Sequence, residues 1–309
     1  MSEINNVHDK FFKKKMTDRK IAQNLLENYL PKNILKIINL DEIKLEKDSM
    51  IEEDLKDVFS DLIYKVTING NEAYLYFLFE HKSYPYKKIT LQLIKYIRNI
   101  WELKTKQGKR KKLPLIIPIV FYHGSVKWNI GLRLSDILDD IPEELKDYIP
   151  DFKYLLYDFS MYSDNEIKGD IELRIFLQLL RYIFLDVDLF RDKAGEIFKL
   201  FEELSEKETA MEYFELVIRY IMNAKEGISE KELARIASEI SSERGEAIMT
   251  IAEKLKMEGK IEGKIEGKIE GKIEIAKNML KRGMKIKEIK EITELEEEKI
   301  NLIKEEIKH

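Results

Sequence analysis

The longest apolar run in the chain is the ten residues from Leu113 to Tyr122, LPLIIPIVFY. A strand apolar on both faces suits the centre of a sheet covered by helices on each side. The run is too short for a membrane-spanning helix, which needs about 20 residues. Pro114 and Pro118 mark a strand end or a bulge, because proline cannot donate to a ladder. The chain is therefore read as α/β, and the remaining elements are sought as partners for this strand.

Before it, Ile21, Leu25, Leu26 and Tyr29 form a helical stripe within Asp18 to Leu40 that Pro31 ends. From Asp57 the pattern changes to VFSDLIYKVTI, NGNE and AYLYFLFEHK, two β-rich runs about an Asn-Gly turn signal. Tyr86 to Lys106 returns to helical spacing with Ile89, Leu93, Ile97 and Ile100, and the basic stretch KTKQGKRKK ends it. After the apolar run, DFKYLLYDFS reads as one more strand, and from Asp170 onward only helical patterns occur. The expected architecture is a mixed sheet flanked by helices over residues 1–165, followed by a helical C-terminal half. That half divides into 166–250, a repeat segment at 251–274 and a small helical segment at 275–309.

Composition narrows the chemistry. The 309 residues carry 54 Lys plus Arg against 58 Asp plus Glu, a net charge of -4, so attraction to a polyanion must come from local patches. With no Cys, disulfides, thiolate metal sites and Cys nucleophiles are excluded, and His8, His81, His123 and His309 are far apart in sequence. The start, MSEINNVHDKFFKKK, has no apolar signal region, so a cytoplasmic protein that avoids the membrane is expected.

In the helical half, EGKIEGKIEGKIEGKIE repeats every four residues. On an α-helix such a period drifts by about 40° per repeat, giving slanting stripes of Gly259, Gly263, Gly267, Gly271 and of Ile261, Ile265, Ile269, Ile273. Two readings stand: a solvated helical linker, or a segment through which copies of the chain associate, the glycines allowing close approach. Gly283 is a candidate C-cap, and Thr293 with Glu296 a candidate capping box, ahead of two short terminal helices. The last helix is rich in Glu, which sets it against DNA.

In the hairpin, Glu80 and Lys82 alternate onto one side of the second strand. A four-residue turn over Asn69 to Glu72 places Ile68 opposite Ala73 and Asp61 opposite Glu80, whereas a two-residue turn leaves Glu80 diagonal. Two carboxylates this close on apolar strands need a cation. A hard ion such as Mg²⁺ fits them, with the backbone carbonyl of His81 as a further ligand and Lys82 beside the bound water. The set suits phosphodiester hydrolysis, and a cross-strand Asp–Lys–Glu salt-bridge cluster accounts for the same spacing.

At these residues the chain resembles a family. The motifs are HDKFFKK at 8–14, NYLP at 28–31, IEEDLKDVFSDLIYKV at 51–66, FEHKS at 79–83 and IPIVFYHG at 117–124 with Trp128. In this order, over residues 8 to about 240, they are similar to the recombination-promoting nucleases, also known as YhgA-like putative transposases, of the PD-(D/E)XK nuclease superfamily. The resemblance implies a Mg²⁺-dependent DNA endonuclease of low sequence specificity, supporting recombination, on a restriction-endonuclease-like fold. It assigns Asp61 as the motif aspartate, Glu80 as the second metal ligand and Lys82 as the catalytic lysine. Gln92 occupies a suitable place for the polar residue that the superfamily often adds on the following helix.

Asp9 is expected to cap a helix running through Phe12. For DNA, the candidate contacts are the N-terminal lysines Lys10, Lys13, Lys14 and Lys15, the cluster Lys109, Arg110, Lys111 and Lys112, and His123 at the end of the central strand. A catalytically idle nuclease-like module that binds DNA or assembles is the competing reading of the whole.

Overall fold

The computed structural model of the chain describes residues 2–46, 62–80, 85–106, 112–124, 126–204 and 207–308; the side chains of 2–6, 78–80, 207–209 and 308 lie outside that description. Two compact units divide it, Met1–Ile248 and Met249–His309.

The first unit opens with α1 (Ser2–Met16), α2 (Arg19–Tyr29) and the single turn α3 (Lys32–Leu35). Asp9 lies inside α1, so it does not cap a helix there; the aspartate that caps is Asp18, whose side chain accepts from Lys20 N ahead of α2. Five strands follow in one sheet, β1 (Ile38–Leu45), β2 (Leu62–Ile68), β3 (Asn71–Glu80), β4 (Leu115–Tyr122) and β5 (Leu155–Asp158), in the order of the chain. β1, β2 and β3 pair antiparallel, whereas β3, β4 and β5 run parallel, so the sheet is mixed. The expected apolar strand is β4, hydrogen-bonded to neighbours on both sides. β5 pairs only with Ile119 to Tyr122, so at Pro118 β4 has one neighbour and the missing N–H is tolerated.

Between β3 and β4 runs α4 (Ile89–Lys106), the crossover that a parallel pair requires. It covers one face of the sheet: Ile89, Leu93, Tyr96, Ile97 and Ile100 share a buried cluster with Ile63, Tyr74, Tyr76, Val120 and Tyr122. On the other face Phe121 meets Phe12 of α1 at 4.9 Å between ring centroids and Phe159 at 4.6 Å. Helices α5 (Ile171–Tyr182), α6 (Val187–Glu202), α7 (Lys207–Ala224) and α8 (Glu230–Ser238) complete the unit, with Phe176 of α5 also close to Phe121. Burying the large aromatic and aliphatic side chains contributes about 1.5–3 kcal/mol each, so both faces of the sheet are core.

The long α9 (Ser242–Lys281), α10 (Ile286–Thr293) and α11 (Glu297–Lys308) end the chain. In the second unit Ala276, Ile289, Ile300 and Ile303 form a small core among α9, α10 and α11. α9 stops as Gly283 predicts: at φ +75° its N–H reaches Leu280 O, and Met284 N–H reaches Met279 O. The expected capping box does not form. Thr293 ends α10 with its hydroxyl donating to Ile289 O, and Glu294 takes the left-handed cap, so α11 starts later than the Thr293–Glu296 spacing requires.

The carboxyl edge of the sheet as a candidate active site

β2 and β3 are joined by Asn69 and Gly70, both at positive φ (48° and 76°), the two-residue turn that an Asn-Gly pair favours. Ile68 therefore pairs with Asn71 and Leu62 with Phe77. The four-residue turn, which set Ile68 opposite Ala73, is corrected by this register: Ala73 pairs with Val66. The two-residue turn is the one that stands, and the Asp61–Glu80 relation it was expected to set lies outside the described residues.

The carboxyl ends of the three parallel strands lie level, Glu80 pairing with Tyr122 and Tyr122 with Asp158. The antiparallel β2 begins at this same edge. Asp61, His81 and Lys82 lie outside the described residues, as does the side chain of Glu80. What the structure describes is the end of the sheet at β4 and β5. Tyr122 donates to Val126 O at 2.8 Å, Asp158 accepts from Trp128 N at 2.9 Å and from Ser160 N at 3.1 Å, and the Trp128 indole N–H donates to Ile130 O at 3.0 Å. These bonds fasten the loop beyond β4 to the end of β5.

Gln92 stands in the first turn of α4, and its Nε2 is buried with no hydrogen-bond partner among the described residues. A buried polar group left so costs about 1–3 kcal/mol, and Thr90 Oγ1 on the same helix is in the same position. One turn on, Tyr96 lies 5.3 Å from the Tyr76 ring, and Lys104 Nζ is 4.8 Å from the Tyr74 ring. α4 thus runs from the carboxyl edge of β3 toward its start, with Gln92 at the Glu80 end.

His123 does not belong to this face. It is 1% exposed, and it follows Tyr122 onto the side where Phe121 packs, opposite α4. Its ring lies 5.4 Å from His8 and 5.2 Å from Phe184, so the expected contact with DNA is corrected: the ring is closed off by protein. His8 in turn sits 2.7 Å from the hydroxyl of Tyr220, whose burial raises its pKa well above the usual phenol value. Residues 8, 123, 184 and 220 are brought together only by the fold, and no spacing in the sequence points to the cluster. Lys15 is likewise buried, 3.3 Å from Glu172 and over the Tyr213 ring; desolvation lowers its pKa despite that carboxylate. It therefore braces α1 against α5 and α7 and is withdrawn from any phosphate, whereas Lys10 and Lys14 are exposed. Lys109, Arg110 and Lys111 lie outside the described residues; Lys112 is exposed just before β4, at the edge of the sheet away from Glu80.

Among the described residues no helix is long and apolar enough to cross a membrane.

Comparison with known proteins adds a lineage to this geometry. The family model described as "Putative transposase, YhgA-like" matches residues 6–212. The inactive recombination-promoting nuclease-like protein RpnE of Escherichia coli (strain K12) is 28% identical over 283 residues, 91% of this chain and 92% of that protein. The recombination-promoting nuclease RpnA of the same strain is 26% identical over 294 residues, 95% of each chain. Recombination-promoting nuclease RpnD of Escherichia coli O157:H7 is 28% identical over 254 residues, 80% of this chain and 93% of that one. No solved structure matches.

Proposed function

The chain belongs to the YhgA-like putative transposase family, whose relatives here include named recombination-promoting nucleases, and from that premise we propose that it is a Mg²⁺-dependent DNA endonuclease of low sequence specificity that promotes recombination in the cytoplasm. Its core is then of the restriction-endonuclease type, a mixed sheet between helices.

One observation carries the reading: the hairpin register and the parallel β3–β4 ladder converge on the carboxyl edge beside the orphaned amide of Gln92. Ligands in open α/β sheets gather outside the carboxyl ends of strands. Ile63 packs on the α4 face, and positions two apart in a strand share a face, so a strand continued back to position 61 would set Asp61 on that face. Position 80 shares it with Tyr74 and Tyr76. Asp61 and Glu80 would hold the Mg²⁺, with the His81 carbonyl as a third donor; oxygen donors of this kind suit a hard cation. When bound, the metal polarises the phosphate and acidifies its water. Lys82 would orient the attacking water and offset charge developing on the phosphate. Gln92 donates its free amide to the water or to a phosphate oxygen.

Two copies associate through α9. On that helix each isoleucine lies about 200° from the glycine two residues before it, so Met257, Ile261, Ile265 and Ile269, all exposed, form one stripe and the glycines line the back. Close approach across the glycines is therefore set aside. Lys precedes and Glu follows each isoleucine. In a parallel pair the Lys rim of one helix faces the Glu rim of the other, whereas an antiparallel pair sets like against like.

The second reading, an idle nuclease-like module, has its support in the relative named as inactive. Relaxation of supercoiled plasmid by the purified chain, with Mg²⁺ or with chelator, separates the two: Mg²⁺-dependent nicking supports the nuclease, and binding without nicking supports the module.

A further inference from the structure

The outward face of α4 combines three properties. It is exposed at Leu91, Lys95, Arg98 and Glu102, and Lys88, which immediately precedes the helix and whose carbonyl accepts from Gln92 N, extends the same spacing of three and four into one stripe. It is strongly cationic in a chain whose charges nearly cancel: residues 85–106 contain six basic side chains, Lys87, Lys88, Lys95, Arg98, Lys104 and Lys106, against the single acid Glu102. The cations are also largely uncommitted. Arg98 bonds Glu102 at 3.3 Å, Lys104 lies over Tyr74, and Lys88 and Lys95 have no carboxylate partner among the described residues. The buried stripe of the same helix, from Ile89 to Ile100, fixes it rigidly on the sheet.

We propose that this face of α4 is a phosphate-tracking surface that holds a duplex DNA backbone across the carboxyl edge, the role first sought in the 109–112 cluster and His123. The proposal rests on the nuclease reading of that edge and names the partner of the same site. Lys88 to Arg98 spans ten residues, about 15 Å of helix, or roughly four base-pair steps of a strand whose phosphates advance 3.4 Å each along the duplex axis. Three side chains at 88, 95 and 98 therefore reach successive parts of one backbone, and the helix start lies at the Glu80 end, where the strand to be cut must lie. The exposed stripe carries its cations in one line with Leu91 among them and no Asn or Gln, so contact chiefly with phosphate is expected. An anionic membrane surface fits less well, because one exposed leucine supplies little apolar burial.

The test is fluorescence anisotropy of a labelled duplex of roughly 20 base pairs in chelator, which suppresses cutting, across a salt series. The combined variant Lys88→Gln, Lys95→Gln, Arg98→Gln should reduce the slope of log affinity against log salt by about 2 to 3 and weaken binding about a hundredfold near 0.2 M salt, at about 0.9 per lost phosphate contact. A variant of equal charge loss in the second unit, Lys281→Gln, Arg282→Gln, Lys287→Gln, should keep the wild-type slope, and thermal melts establish that both fold. If the α4 variant keeps the wild-type slope, or both variants lose it equally, the surface is wrong. A matched RNA duplex bound tenfold more tightly than DNA overturns the choice of partner. Plasmid nicking by the unmodified chain reads the underlying function separately: nicking with an unchanged α4 slope overturns this surface alone, and a chain that neither binds nor nicks overturns both.

Discussion

Gln92 separates a structural residue from a functional one at the scale of a single side chain. A glutamine kept for stability would bond its amide, yet among the described residues Nε2 is buried without a partner. Gln92→Met removes that unsatisfied donor at nearly constant volume, so chemical denaturation should show the variant unchanged or about 1 kcal/mol more stable, while Mg²⁺-dependent nicking falls at least tenfold. A variant that loses stability and keeps cleavage would make the residue structural. Lys82→Ala should lose cleavage yet still bind Mg²⁺ in titration calorimetry, because its ammonium is no metal ligand; loss of metal binding would reassign it. Alternation in the hairpin put Lys82 beside Glu80 in the sequence, and the family resemblance alone singled out Gln92; of the two, only Gln92 lies within the described residues. The His8–His123–Tyr220 cluster was not legible, since its members are far apart in sequence and their meeting depends on packing α1 and α7 against the end of β4.

The elements show where local signals win and where they fail. The hairpin and β4 were readable because Asn-Gly and a run apolar on both faces have few alternative structures. β1 was missed: only Ile38, Leu40 and Ile43 are buried, among Asp41, Glu42 and Lys44, and as an edge strand it exposes the rest. The Thr293–Glu296 box failed because Thr293 bonds backward to Ile289 O. At α8 the box does form: Ser229 and Glu232 bond reciprocally, and Arg191 lies 2.8 Å from Glu232. Those bonds hold the Glu232 carboxyl at about 2 against an ordinary 4.5. A folded pKa below the unfolded one contributes stability above the unfolded value, lost as pH falls from about 4.5 toward 2. Glu232→Gln should therefore flatten acid unfolding in that window; an unchanged curve would mean that the bonds do not outlast solvation. For α9, an alanine at each of Gly259, Gly263, Gly267 and Gly271 meets open space and should raise helix stability by about 1 kcal/mol apiece without altering mass in light scattering. Lys260→Glu, Lys264→Glu, Lys268→Glu should lower that mass, and mixing it with Glu262→Lys, Glu266→Lys, Glu270→Lys should restore it. A mass unmoved by either charge swap returns the repeat to a solvated linker.

Taken as a whole, the molecule joins an α/β unit, whose family is set by residues 6–212, to a smaller helical unit built on a low-complexity helix. Apart from β1, the order of helix, hairpin, helix, strand, strand and helices was visible in the chain because each segment carries its own period. Which helix covers which face of the sheet was not visible, because that follows from α4 crossing one face while α1 and α5 cover the other. The account turns on the carboxyl edge being a working metal-dependent site, when relatives of similar identity are named both as nucleases and as inactive. The direct measurement is relaxation of supercoiled plasmid by wild-type, Asp61→Ala and Glu80→Ala chains purified in parallel, each with Mg²⁺ and with chelator. The account predicts nicking by the wild type with Mg²⁺ only, and loss of at least a hundredfold in both variants with unchanged thermal melts. Nicking by both variants at the wild-type rate, or none by a folded wild type that binds the plasmid, would contradict it.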